Sequence, residues 1–204
     1  MSELPITPTP PEKPPSPGIV VLGRFQPFHR GHESLLIAAE EWRRENADNL
    51  YLIVAIGSSN REESLQNPWS SDERTAMIEV WLSESGIKDV EIVSIPDIED
   101  PPNWVAHAEQ YHGMAGVLFT SDAPSAELYG AAGWQVMTTP LDNRESFEGW
   151  RVRETARMLS TIGDEEAVRA VLSQTIPSVV VEYMVSNDAL RRLAFLGEGG
   201  EPVG

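Results

Sequence analysis

Short apolar runs alternate with amphipathic stretches between about Gly18 and Leu196. Ile19-Val20-Val21-Leu22 has the unbroken apolar character of a buried strand, and from Gly31 to about Asn46 the positions Leu35, Leu36, Ala39 and Trp42 recur at helical spacing. Leu50 to Ile56 predicts a second strand. The helix predicted from Ser70 to Ser85 opens on a capping box, Ser70 with Glu73 three positions on. Further along, Val90 to Ser94, Val117 to Thr120 and Trp134 to Met137 predict strands, with helices from Asn103 to Tyr111 and from Ala126 to Ala132 between them. Such alternation implies a parallel sheet covered by helices on both faces, because successive parallel strands need a right-handed crossover.

From about Trp150 the pattern is helical only. Val152, Ala156 and Leu159 form one stripe, Val168, Val171 and Leu172 a second, and the run from Pro177 to Phe195 a third. The Val179-Val180-Val181 triplet would suit a strand, but Pro177 fits a helix first turn and Tyr183, Met184, Leu190 and Leu193 continue the helical stripe. The fold class expected is therefore α/β, a doubly wound, Rossmann-like parallel sheet of about five strands with a helical C-terminal subdomain. Seven prolines in residues 1–17, with no apolar periodicity, predict a disordered Pro-rich arm. Residues 18–145 would form the Rossmann-like core, 146–196 the helical part of the same domain, and the Gly-rich, acidic residues 197–204 a flexible tail.

Composition narrows the partners. The net charge is −17, and Lys13 and Lys88 are the only lysines among 15 basic residues. Such a field repels polyanions, which argues against nucleic acid, while a few arginines in one cleft can still hold a small anion. A lysine-poor acidic surface also fits work at high salt. Cysteine is absent, so disulfides and thiolate metal sites are excluded. Nothing at the start resembles a signal peptide and no stretch resembles a transmembrane span, so a cytoplasmic protein with no membrane partner is expected.

The first turn after the first strand carries the candidate chemistry. Gly23-Arg24 leads into a Pro-containing loop, and His29-Arg30-Gly31-His32 opens the helix, with neither a Gly-x-Gly-x-x-Gly nor a Walker lysine. Free N–H groups at a helix N-terminus attract anions. Two imidazoles three residues apart could donate to phosphate oxygens, Gly31 would allow close approach, and Arg24 could add a charge-assisted contact. The same pair could also be surface polar or capping residues. A zinc pair shares the spacing, but no Cys, third His or carboxylate completes a metal set. His107 and His112 fall on or beside a later helix and read as solvated.

The full string Gly23-Arg24-Phe25-Gln26-Pro27-Phe28-His29-Arg30-Gly31-His32 resembles the signature of the HxGH nucleotidyltransferases, in particular the archaeal-type nicotinamide-nucleotide adenylyltransferases. Asn67-Pro68-Trp69-Ser70-Ser71-Asp72-Glu73-Arg74 is similar to that family's (N/D)PF(T/S)xxER segment. Ile95-Pro96-Asp97-Ile98-Glu99 with Trp104-Val105-Ala106-His107 resembles its DIE…WVxH segment, and Asn143 to Arg153 its RDxxxGTxxR stretch.

The resemblance implies transfer of the adenylyl group of ATP to nicotinamide mononucleotide with release of pyrophosphate. Mg²⁺ would be held mainly by the substrate phosphates, and a homo-oligomer is possible. His29, His32 and Arg153 would be catalytic, touching the phosphates. Gly23, Arg24, Phe25, Gly31, Arg144, Thr120 and Ser121 would bind ATP, the last two at its adenosine end. Gly57, Ser58 and Trp104 would bind the acceptor, although Trp104 could equally fill the core. Three positions depart from the pattern: Trp150 replaces Thr, Gln66 replaces Arg, and Asp122 stands where Asn is common. Arg61, Arg151 or Arg157 could compensate. The changes leave open a different phosphorylated acceptor, or a nucleotide-binding relative with little turnover.

Overall fold

A computed structural model describes residues 4–140 and 147–196. The chain divides into two compact units, one of Met1–Arg24, Gly31–Arg61 and Gly86–Asp142, the other of Phe25–Arg30, Glu62–Ser85 and Asn143–Gly204.

The first unit holds the sheet. Five strands, β1 (Gly18–Gly23), β2 (Tyr51–Ile56), β3 (Val90–Ser94), β4 (Val117–Thr120) and β5 (Gln135–Thr138), pair in parallel in the order β3-β2-β1-β4-β5. The central strands are almost wholly buried and read as continuous apolar runs, as strands covered on both faces must. On one face Val20, Ile53, Ala55 and Leu118 pack against Val105, Ala108 and Tyr111 of α3 (Trp104–His112) and Tyr129 of α4 (Ala123–Ala131). On the other, Phe119 meets Trp42 of α1 (Arg30–Asn46), ring centroids 6.5 Å apart. The strand order reverses between β1 and β4, so the loops after these two strands flank the crevice where such sheets bind ligands.

The β1–β4 pairing needs a glycine. A Cβ on Gly116 would lie 2.3 Å from the Gly18 carbonyl oxygen and 3.1 Å from Trp134, with backbone that cannot yield. Gly116→Ala should lower stability by about 2–3 kcal/mol. Gly130, on α4 with open space around its Cα, should instead gain about 0.5–1 kcal/mol as alanine. Urea midpoints of the two variants check both signs.

Two expected boundaries shift for identifiable reasons. The helix expected from Ala126 begins at Ala123, because Asp122 caps it, its carboxylate accepting from the Ser125 amide at 3.0 Å and the Ser125 hydroxyl at 2.8 Å. Asp122 is thus committed to the start of α4. The run expected as one helix from Pro177 to Phe195 is α7 (Ser178–Ser186) followed by a 3-10 turn over Arg191–Ala194. Asp188 takes a left-handed conformation (φ 53°), and the amides of Asp188 and Ala189 return to the Val185 and Met184 carbonyls, a Schellman closure.

The second unit is helical. It contains α2 (Ser71–Ser85), α5 (Gly149–Leu159), α6 (Glu165–Leu172) and α7, with α7 packed on α2 and α6. The capping box before α2 is formed: the Ser70 amide donates to Glu73 at 2.8 Å and the Glu73 amide to Ser70 Oγ at 3.2 Å. Glu73 also accepts from Arg192 at 2.9 Å, an ion pair in addition to its capping role. Among the described residues no helix is long and apolar enough to cross a membrane.

Candidate phosphate-binding site

The loop after β1 is built into the helical unit by its aromatic and amide side chains. Phe25 and Phe28 are fully buried and stacked (6.2 Å), and Phe28 also packs on Trp81 of α2 (5.0 Å). Gln26 acts as a two-sided bracket, donating to the Trp69 carbonyl (2.8 Å) and accepting from the Trp69 amide (3.2 Å). At the loop's end the Arg30 amide donates to Thr175 O (2.8 Å) and its guanidinium to Ser173 O, the C-cap of α6, where a cation also suits the helix dipole. Phe25 therefore offers a ligand only its backbone.

This bracing fixes His29 beside Arg153. Arg153 Nη1 donates to the Gln26 carbonyl at 2.8 Å. A Cβ placed on Gly149, the first residue of α5, would lie 3.2 Å from Arg153 Nη1, 3.9 Å from His29 Nε2 and 3.9 Å from Gln26 O. An imidazole, a guanidinium and a helix N-terminus thus converge on one small volume, left open because position 149 has no side chain. Such an arrangement suits an anion. Gln26 and Gly149 were not among the expected site residues, yet the i,i+4 spacing of Gly149 and Arg153, which puts both on one helix face, was readable in the sequence.

His29 is buried, and its pKa is lowered from 6.5 to about 4, by burial first and the Arg153 charge second, against a raising backbone hydrogen bond. At neutral pH it is a neutral donor, not an imidazolium. Between pH 6.5 and about 4 the unfolded chain binds a proton that the folded chain does not, so stability falls as pH drops through that window. The His29 contribution is about 3 kcal/mol at most. Urea denaturation of the wild type and of His29→Asn from pH 7 to 4 should show a shallower acid decline in the variant; parallel curves would remove the assignment.

The remaining expected site residues divide between positions near strand ends and positions already engaged. Arg24 is exposed just after β1, Gly31 is buried in the first turn of α1, and His32 is partly exposed as its third residue. The Gly57 amide donates to the Gly23 carbonyl at 2.9 Å, extending the β1–β2 pairing by one step. Ser58 is nearly buried with a left-handed backbone (φ 54°). Thr120 is buried and its hydroxyl accepts from the Asp122 amide at 3.0 Å, while Ser121 is half-exposed beside it. Arg144 lies outside the described residues.

Trp104 takes the core-filling role weighed for it and also borders a cavity. It packs on Tyr129 (6.4 Å) at the edge of the core and lines a cavity of about 230 Å³ with Leu22, Pro101, Ser125 and Leu128. Behind it His112 is fully buried, in contrast to the solvated position expected: its Nε2 lies 2.8 Å from the Tyr129 hydroxyl and its Nδ1 2.8 Å from Gly113 O. His107 is likewise engaged, with Nε2 2.9 Å from Pro96 O.

Two of the three departures from the expected pattern, Trp150 and Gln66, are at the surface. Trp150 is 56% exposed, its indole N–H donating to Glu148 and the Arg151 guanidinium lying 4.7 Å above its ring. Gln66 is exposed. Of the arginines considered as replacements, Arg61 pairs with Asp97 (2.6 Å), Arg151 with Glu148 (3.1 Å) and Arg157 with Glu154 (2.9 Å).

Comparison with known proteins places the chain in a family. The profile of the family described as Cytidylyltransferase-like matches residues 20–174. The chain is 31% identical over 178 residues to a nicotinamide-nucleotide adenylyltransferase of Ignicoccus hospitalis, covering 86% of this chain and 95% of the relative. It is 32% identical over 181 residues to one of Picrophilus torridus, covering 89% and 98%. Among solved structures it is similar in fold to a bifunctional NMN adenylyltransferase/ADP-ribose pyrophosphatase from Francisella tularensis, solved with AMP and a manganese ion, at TM-score 0.61 and 20% identity. That match covers 88% of this chain and 52% of the bifunctional protein, about half its length.

Proposed function

The chain belongs to the cytidylyltransferase-like family, and from that premise we propose that it transfers the adenylyl group of ATP to nicotinamide mononucleotide, forming NAD. The observation that carries the reading is the convergence of neutral His29, Arg153 and the α5 N-terminus around Gly149. A phosphate oxygen of the acceptor attacks the α-phosphorus of ATP in line; the new P–O bond forms as the bond to the β-phosphate oxygen breaks, and pyrophosphate leaves. The acceptor phosphate is ionised at neutral pH and needs no general base, so the protein contributes position and charge. His29 and His32 donate to oxygens of the α- and β-phosphates, and Arg153 with the α5 amides holds the triphosphate. Arg24, Gly23 and Gly31 complete that end, Arg144 is a further phosphate ligand, Thr120 and Ser121 face the adenosine, and Gly57, Ser58 and Trp104 receive the acceptor.

Among the described residues no group of three or more His, Asp or Glu could hold a metal. Mg²⁺ would enter on the phosphates of ATP and neutralise the charge of the leaving pyrophosphate. The test is pyrophosphate release by the purified protein with ATP, Mg²⁺ and a panel of phosphorylated acceptors. Release with nicotinamide mononucleotide is expected. Release with another acceptor alone would reassign the substrate, and ATP binding without release from any would leave a binding protein.

A further inference from the structure

The Pro-rich arm precedes the family-matched stretch, and the structure gives it specific anchors. Residues 4–17 form no helix or strand. Proline-rich chain of this kind has no internal hydrogen bonds, presents its carbonyls outward and has little entropy to lose on docking. Its anchors use those carbonyls. Asn60 Nδ2 donates to Pro5 O at 2.9 Å and the Tyr111 hydroxyl, from a buried ring, to Pro8 O at 2.9 Å. Ser59 Oγ reaches Thr7 O only at 3.5 Å and adds little. Farther on the arm lies so close to Gly113 that a Cβ there would sit 2.4 Å from Pro15 O, and Gly113 also has φ +83°. The arm thus crosses from the segment after β2 along α3 and enters β1.

Asn60 makes this crossing matter for the sheet's carboxyl edge. Besides holding Pro5, its amide brackets Asp97, accepting from the Asp97 amide at 2.7 Å and donating to the Asp97 carbonyl at 2.9 Å. Asp97 in turn pairs with Arg61. One side chain therefore ties the arm, the loop Gly57–Arg61 after β2, and the segment after β3. Gly57 and Ser58 lie two and three positions before Asn60, and Ser58 is already held in a left-handed backbone.

We infer that the arm is a strap that fixes the acceptor-binding loop, with Asn60 as a positioning residue acting through Gly57 and Ser58. The inference rests on the adenylyl-transfer reading for its substrate and not for its geometry. Removing residues 2–9, which spares the Pro15 contact, should raise KM for nicotinamide mononucleotide about tenfold. KM for ATP and kcat should stay within about twofold. Asn60→Ala in the full chain should give the same split, and combining the two changes should add little. An unchanged acceptor KM, or a fall in kcat with both KM values raised, would overturn the strap.

Hydrogen exchange provides a readout that needs no turnover. The Asp97 amide, bonded to Asn60 Oδ1, should exchange faster in the truncated chain; unchanged protection would overturn the inference even if every acceptor were inactive. Absence of pyrophosphate release from the full chain would instead count against the function and leave the exchange result to decide the strap.

Discussion

His32→Ala should lower kcat by about 10²–10³ with little change in thermal midpoint. His32 is the third residue of α1 and partly exposed, so truncating it opens no core cavity of the kind that makes large-to-small changes destabilising. What it removes is a donor in the first turn of a helix, where the backbone N–H groups and the dipole already favour phosphate. A donor that strengthens its bond as charge develops on the phosphate oxygens affects kcat more than KM for ATP. His32→Asn, which keeps an N–H, should recover part of the rate. A variant retaining near-native turnover would end the proposed role of the first turn.

Arg153→Met should cost about 10² in kcat and also move the acid limb of the rate profile upward. Burial is the larger cause of the low His29 pKa and the Arg153 charge the second. Without that charge the imidazole protonates at higher pH, so a limb that reports its protonation moves up with it. Arg153→Lys should return the limb toward its original position but not the full rate, since an ammonium lacks the planar fork that can hold Gln26 O and a phosphate oxygen together. The measurement is kcat/KM from pH 4 to 8 for all three proteins. A limb unmoved in Arg153→Met would show that the two groups do not act on each other.

The alternation that gave five parallel strands was legible because strand burial writes itself as unbroken apolar runs, Val20-Val21 and Ile53-Val54 among them. Less legible was anything decided by a single side chain meeting a distant backbone. Asp122 stood out only as a position where Asn is common, and the string did not show that its carboxylate caps the first turn of α4. Asp188 looked like one more position in a helical stripe, but its left-handed backbone ends α7. His112 looked solvated because it falls on or beside a later helix, whereas its surroundings come from Tyr129 and Trp134, farther along the chain. At the site, the string Gly23 to His32 was recognisable as a motif. Why it contains Phe25, Gln26 and Phe28 was not: those residues brace the loop on Trp69 and Trp81.

The discontinuity of the two units limits how this protein can be taken apart. The chain passes from one to the other after Arg24, Arg30, Arg61, Ser85 and Asp142. A fragment ending at Asp142 would keep every described strand yet leave α2 without α7, Gln26 without Arg153, and Arg30 without the carbonyls at the end of α6. A fragment beginning at Asn143 would carry Arg153 with neither Gln26 nor His29 beside it. A cut at Asp142 therefore divides the second unit itself, and point substitution in the intact chain is the way to divide labour between the two units.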